Sequence, residues 1–120
     1  MRLGITYLQH EVIKRGLDPN QALDSLNELD LDTIRVGVLW NQIQPQPNVW
    51  NFDELDAILN FLQSRKLNVV LTVGMKAPRW PEFYLPDWLP SQNPEYIGSY
   101  ASQFIAEVVN RYKSMSRLIA

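Results

Sequence analysis

An α/β fold on a parallel sheet is what this sequence predicts, on two observations. The apolar periodicity alternates, in order along the chain, between two and about 3.6 residues. Each strand-like run is also followed by an amphipathic helical run before the next strand begins. That alternation demands right-handed crossovers rather than hairpins, and crossovers make a parallel sheet.

The elements follow in sequence. Leu3 to Tyr7 is a short β-like run. Asp18-Pro19 is a helix start, with Asp as N-cap and Pro at the first helical position, where its missing N–H is not needed. Ala22, Leu23, Leu26 and Leu29 continue it at helical spacing. From Thr33 to Trp40 the period drops to two, with Ile34, Val36, Val38 and Trp40 on one side and Arg35, Gly37 and Leu39 on the other. A loop from Asn41 to Asn51, carrying Pro45 and Pro47, leads to a second amphipathic helix marked by Leu55, Ile58, Leu59 and Leu62 and ending near Lys66. Asn68 to Gly74 is near-continuously apolar, which predicts a strand covered on both faces. A third helix places Ile97, Tyr100, Ala101, Phe104, Ile105, Val108, Val109 and Tyr112 on one face, with Asn93-Pro94 as cap and first turn. Leu118-Ile119-Ala120 has the pattern of a fourth strand beginning.

With 120 residues, 46% of them hydrophobic and 20% charged, the chain suits one globular domain with a buried core. The net charge is -2 and the cations are scattered, so no nucleic-acid partner is expected. The longest apolar run, Val69 to Val73, is interrupted by Thr72 and too short to span a bilayer, so no membrane partner is expected. The absence of cysteine excludes disulfides and thiol catalysis. Met1 to Ile5 lacks a signal-peptide pattern, so the chain as written is expected to be cytoplasmic. A nucleotide-binding doubly wound sheet would carry a glycine-rich turn after the first strand. Leu8-Gln9-His10-Glu11 stands there instead, and no Walker-type loop or metal-ligand cluster appears.

Two features carry chemistry. Arg35 interrupts an apolar strand and points away from Ile34, Val36 and Val38. It either faces a barrel interior and needs an anion, or sits on an exposed strand face, or snorkels to the rim; the apolar flanks favour the interior. The segment Met75 to Gln92 is long for a βα connection, which suggests a binding loop. It holds Lys76, Arg79, Trp80, Glu82, Phe83, Tyr84, Asp87 and Trp88 among four prolines. Aromatic planes and charged hydrogen-bonding groups suit sugars, which present apolar C–H faces ringed by hydroxyls. A site role is expected for Arg79 and Trp80, nearest the strand end, and a packing role for Phe83, Tyr84 and Trp88.

Three stretches resemble the N-terminal part of clan A glycoside hydrolases of the β-galactosidase-like and cellulase-like kind. One is Ile34-Arg35-Val36-Gly37-Val38-Leu39-Trp40 with Ile43-Gln44-Pro45 and Trp50-Asn51-Phe52-Asp53-Glu54-Leu55-Asp56. Another is Val70-Leu71-Thr72-Val73-Gly74-Met75-Lys76-Ala77-Pro78-Arg79-Trp80-Pro81, and the last is Arg111-Tyr112-Lys113. The resemblance implies the first three βα units of a (β/α)8 TIM barrel over residues 1–120, incomplete and ending as the fourth strand begins. It also implies a retaining mechanism with two carboxylates about 5–5.5 Å apart, and no cofactor, since that chemistry needs only carboxylates and water. In the family the acid/base ends the fourth strand and the nucleophile ends the seventh, so neither catalytic position falls in this chain. Arg35 matches the family's second-strand Arg, beside the nucleophile. Arg35, Trp40, Lys76, Arg79 and Trp80 are the substrate-binding set so implied.

The remaining acids do not replace the missing pair. Asp24, Glu28, Asp30, Asp53, Glu54, Asp56 and Glu107 lie in or beside helices, where solvation is the default role. Glu11, Glu82 and Asp87 fall on loops at the active end, and Glu82 is the one to watch. His10 is expected on an exposed loop, and Tyr7 either touches substrate or fills the barrel mouth. Two function classes follow: a glycoside hydrolase of which this is the N-terminal piece, and a non-catalytic carbohydrate-binding or assembly module. An incomplete sheet has open edges, so self-association of the isolated chain is also expected.

Overall fold

The computed structural model describes residues 3–74, 84–90 and 94–119. Strand β1 (Gly4–Tyr7) leads to helices α1 (Gln9–Lys14) and α2 (Pro19–Ser25), then β2 (Thr33–Leu39), a short α3 (Trp40–Ile43) and α4 (Asp53–Ser64). β3 (Asn68–Gly74) and α5 (Pro94–Tyr112) complete the order. The sheet is three-stranded, β1-β2-β3, and parallel throughout. A fourth parallel segment begins as expected. Val69 N–H donates to the Arg117 carbonyl at 2.8 Å, and Ile119 N–H donates to the Val69 carbonyl at 3.0 Å.

Local chemistry explains the element ends. The Asp18 carboxylate accepts from the Asn20 N–H at 2.9 Å, capping α2 with Pro19 in its first turn. At the end of α1, Gly16 takes φ 74, its N–H bonds the Ile13 carbonyl and Leu17 N–H bonds that of Val12, a Schellman turn. The same turn closes α4, with Lys66 at φ 59 where glycine is the usual residue.

Four sequence expectations are refined. Helix α2 stops at Ser25, and a 3-10 turn at Leu26–Glu28 leaves Leu29 extended and 52% exposed, outside the helical stripe. Trp40 opens α3 instead of ending β2. His10 and Glu11, expected on a loop, lie on α1 and are half-buried. On α5 the buried residues are Ile97, Ala101, Phe104, Val108 and Tyr112, while Ile105 and Val109 are exposed. Asn93, the expected cap of α5, lies outside the described residues.

The core forms where α4 and α5 cover one face of the sheet. Register places Ile5, Ile34 and Val69 in one row and Tyr7, Val36 and Leu71 in another. Ile34 and Val69 are 0% exposed and meet Leu59, Leu62 and Phe104 in one cluster. β3 is less covered than its apolar run predicts, because only Val69 of its seven residues is buried. The opposite, concave face carries the row Thr6, Arg35, Val70. Among the described residues, no helix is long and apolar enough to cross a membrane.

A second tie joins the two long helices outside the sheet. The Arg111 guanidinium donates to both oxygens of Asp56, and the Tyr112 hydroxyl donates to Asp56 Oδ1 at 2.6 Å. Arg111 also lies over the Phe52 ring, 4.5 Å from its centroid, and Phe52 stacks on Trp50. The Arg111 hydrogen bonds hold the Asp56 carboxyl below its ordinary value, against the opposing effect of partial burial. Burial, followed by Asp56, pushes the Tyr112 hydroxyl well up.

Candidate functional site

Parallel strands direct their C-terminal ends to one rim, where backbone termini and βα connections place functional groups. That rim is formed here by Tyr7, Leu39 and Gly74. Its first fixed group is Tyr7, whose side chain is buried against the core while its hydroxyl donates to Gln9 Oε1 at 3.0 Å. Gln9 Nε2 donates in turn to Glu54 Oε1 at 2.6 Å, tying the end of β1 to the first turn of α4. Burial pushes the Tyr7 hydroxyl up to about 12, with the Glu54 charge adding to the shift. Tyr7 therefore stays neutral at ordinary pH and serves as a hydrogen-bonding group. A small cleft lined by Gln9, His10, Asn51 and Glu54 opens beside this chain.

The second fixed piece is the segment 84–90, by which the long third connection returns to the body. Asn41 N–H donates to the Tyr84 carbonyl at 3.1 Å, and His10 Nε2 lies 2.8 Å from the Tyr84 hydroxyl. Trp88 Nε1–H donates to the Gln44 carbonyl at 2.7 Å. Gln44 is the central bolt. It is 1% exposed, accepts from Trp40 Nε1–H at 2.9 Å and donates to the Pro47 carbonyl at 2.8 Å. A buried amide is stable only when its polar atoms are paired, and these are. Around it Trp40 stacks on Phe104 (5.4 Å between centroids, 12° between planes), and Trp88 meets Trp40 and Tyr100 edge-on. Tyr84 and Trp88 thus take the packing role expected of them.

The five residues expected to bind substrate divide into three groups. Arg35 is on the concave face, exposed, and its Nε donates to the Thr6 hydroxyl at 3.0 Å. Trp40 is 0% exposed and sealed in the aromatic stack. Lys76, Arg79 and Trp80 lie outside the described residues, as does Glu82. Asp87 is exposed, and Glu11 stands 3.9 Å from Arg15 and 3.6 Å from His10. No group of three or more metal-capable side chains occurs among the described residues. Sequence reasoning gave no role to Gln9, Gln44 or the tie between His10 and Tyr84. Gln44 had a signal, as a polar residue between Ile43 and Pro45; the other two had none, since their partners are distant in the chain.

Because Arg35 is exposed and bonded to a neutral hydroxyl, its charge is not stranded. Arg35→Met is expected to change stability by no more than about 0.5 kcal/mol in the isolated chain, the range of an ordinary surface substitution. Urea midpoints measure this, and a loss beyond about 2 kcal/mol would reveal a buried anionic partner.

A family model described as β-galactosidase, within the glycoside hydrolases, matches residues 15–118. Among solved structures, a GH5_18 protein from Streptomyces cattleya in complex with GlcNAc superposes with a TM-score of 0.72 at 19% identity, over 98% of this chain and 32% of its own. A β-galactosidase from the psychrophilic Marinomonas ef1 gives 0.68 at 17% identity, over 100% and 21%. An exo-β-1,4-mannosidase from Opitutaceae bacterium strain TAV5 gives 0.73 at 18%, over 99% and 24%. The chain spans about a third or less of the length of each. At these identities the likeness is one of fold, and the fold is an incomplete TIM barrel. No curated protein matches.

Proposed function

The chain belongs to the β-galactosidase family of glycoside hydrolases, and from that premise we propose that it supplies the first three βα units of a glycosidase and the sugar-contacting groups these units carry. The partner is a carbohydrate. Arg35, Lys76, Arg79 and Trp80 contact it, and Trp40, sealed behind the rim, packs edge-on against Trp88 of segment 84–90. The catalytic carboxylates of a two-step retaining reaction lie outside these 120 residues.

The observation that carries this reading is the anchoring of segment 84–90. The third connection leaves the rim at Gly74 and returns at Tyr84, bound to Asn41 and beside His10. In sequence, Lys76, Arg79 and Trp80 come between these two points, and both points lie at the C-terminal end of the strands, where this architecture binds its substrates. Fixed end points of this kind lower the entropic cost of orienting a ligand between them.

The test is turnover and binding on the same sample. Purified chain is expected to release no leaving group from an aryl β-galactoside above a heat-denatured control. It is also expected to show a saturable change in tryptophan fluorescence with the intact glycoside that Trp80→Ala removes. Turnover lost in Glu82→Gln would place a catalytic acid within the chain and overturn the first part. A fluorescence titration flat in the unmodified protein would overturn the second.

A further inference from the structure

We propose that the cleft between α1, β2, α3 and the start of α4 binds one small neutral polyhydroxy molecule, the size of a single sugar ring. The cleft measures about 60 Å³, several times the ~10–15 Å³ that one water needs, which suits one ring and not a chain of them. Val36 and Val38 of β2, with Leu55 and Ile58 of α4, are buried and form its apolar floor. Gln42, Asn51 and Glu54 are exposed and ring its mouth, with half-buried Gln9 beside them.

The hydrogen-bonding groups select the ligand. Gln9 is engaged by Tyr7 and Glu54, Asn51 Oδ1 accepts from the Asp53 N–H at 3.1 Å, and His10 Nε2 faces the Tyr84 hydroxyl. Among the described residues, the Gln42 amide, the Asn51 Nδ2 group and Glu54 Oε2 remain for a ligand. That set mixes donors with acceptors, and a hydroxyl is the group that meets both. An anion is opposed by the Glu54 carboxylate. A lone organic cation would pair with Glu54 and leave both amide NH₂ groups without an acceptor. No group of three or more metal-capable side chains gathers here or elsewhere among the described residues. Neighbouring hydroxyls of one ring can donate to the carboxylate and accept from the amides, while the C–H face of that ring lies on the valine floor.

This cleft is separate from the sugar contacts proposed above. Val36 and Val38 point into the helix-covered core, whereas Arg35 belongs to the opposite, concave face. All the described residues that line the cleft fall between Gln9 and Ile58, so it owes nothing to where the sheet stops. It stands whether or not the chain binds a sugar on its concave side.

The test follows the side-chain amide resonances of Gln9, Gln42 and Asn51 in the isotope-labelled full chain as D-galactose, D-mannose or myo-inositol is added. At least one of the three is expected to shift these resonances saturably, in the millimolar range usual for so small a ligand. Glu54→Gln keeps the shape and removes the charge, and Gln42→Ala removes a side chain at an exposed position. Each should weaken binding about tenfold. The Arg35 Nε–H signal reports the concave face, so the two proposals are read apart on one sample: Glu54→Gln should leave any shift at Arg35 unaltered. Absence of shifts at the cleft with all three probes up to about 100 mM overturns the site. Equal shifts from cyclohexylammonium, which has a ring and a charge but no hydroxyls, overturn the ligand class. Cleft shifts that survive both variants at full strength overturn the residue assignment. Should one variant lose its circular dichroism, the other decides.

Discussion

Trp40→Ala is expected to destabilise the chain by about 3–5 kcal/mol, the cost of truncating a buried aromatic. Three losses combine. The ring is 0% exposed and stacks on Phe104, so its removal opens a void between α3 and α5. Gln44 Oε1 loses the donor it faces in a site with 1% exposure. The edge contact to Trp88, which helps hold segment 84–90, goes with it. The measurement is a urea midpoint at fixed protein concentration, because any association of copies adds to apparent stability. Trp40→Phe separates the terms: it keeps a ring on Phe104 and loses the hydrogen bond, so it should fall between wild type and alanine. Equal losses for Phe and Ala would assign the whole effect to Gln44.

Asp56→Ala is expected to cost about 1–2 kcal/mol, toward the low end for hydrogen bonds to a charged group because the carboxylate is partly solvated. The pH dependence identifies the cause. The Asp56 carboxyl lies below its ordinary 3.8 in the folded chain, chiefly through Arg111. A group whose folded value is depressed contributes stability that is fully present above its unfolded value and is lost as pH falls through the folded one. The gap between wild type and Asp56→Ala should therefore be constant from neutral pH down to about pH 5 and shrink below about pH 4. A gap that persists unchanged at pH 2.5 would mean that packing of Phe52 and Tyr112, rather than the ion pair, is what the substitution disturbs.

Much of the fold was legible because its signals are local. β3 occupies the seven residues its apolar run marks, α5 begins at the proline expected to open it, and Asp18 caps α2 as its side chain and spacing require. Misplacement came where two periods overlap. Trp40 continues the alternation of β2 by pattern, yet it starts a helix, because packing on Phe104 outweighs the register of a strand that has already run its length. Ile105 and Val109 share the helical stripe of α5 but remain exposed, Val109 in a groove with Leu71 and Val73 of β3, since a stripe of that width exceeds what three strands cover.

The rim was legible only in part. Arg35 stood out as a charge in an apolar strand, and it does face the concave side. The chain from Tyr7 through Gln9 to Glu54, and the pairing of His10 with Tyr84, join residues far apart in sequence, and no spacing rule reaches across such gaps. The quoted motifs did carry physical meaning of a different kind. Trp50, Phe52, Asp56, Arg111 and Tyr112, taken from two separate stretches, meet in one cluster whose contacts join α4 and its entry to α5.

The order β1-β2-β3, with the Arg117 to Ile119 segment next on Val69, bears on how the protein is made. Among the described residues every strand lies beside the one synthesised just before it, so β2 and β3 each find that neighbour already made. As the chain leaves the ribosome, β2 can settle on β1 while β3 is still being translated, and α4 can cover them before α5 exists. The growing end carries the newest exposed edge, in addition to the outer edge of β1. Translation pauses after β2 or β3 would then be tolerated, and the span of greatest aggregation risk would move along the chain with the newest strand.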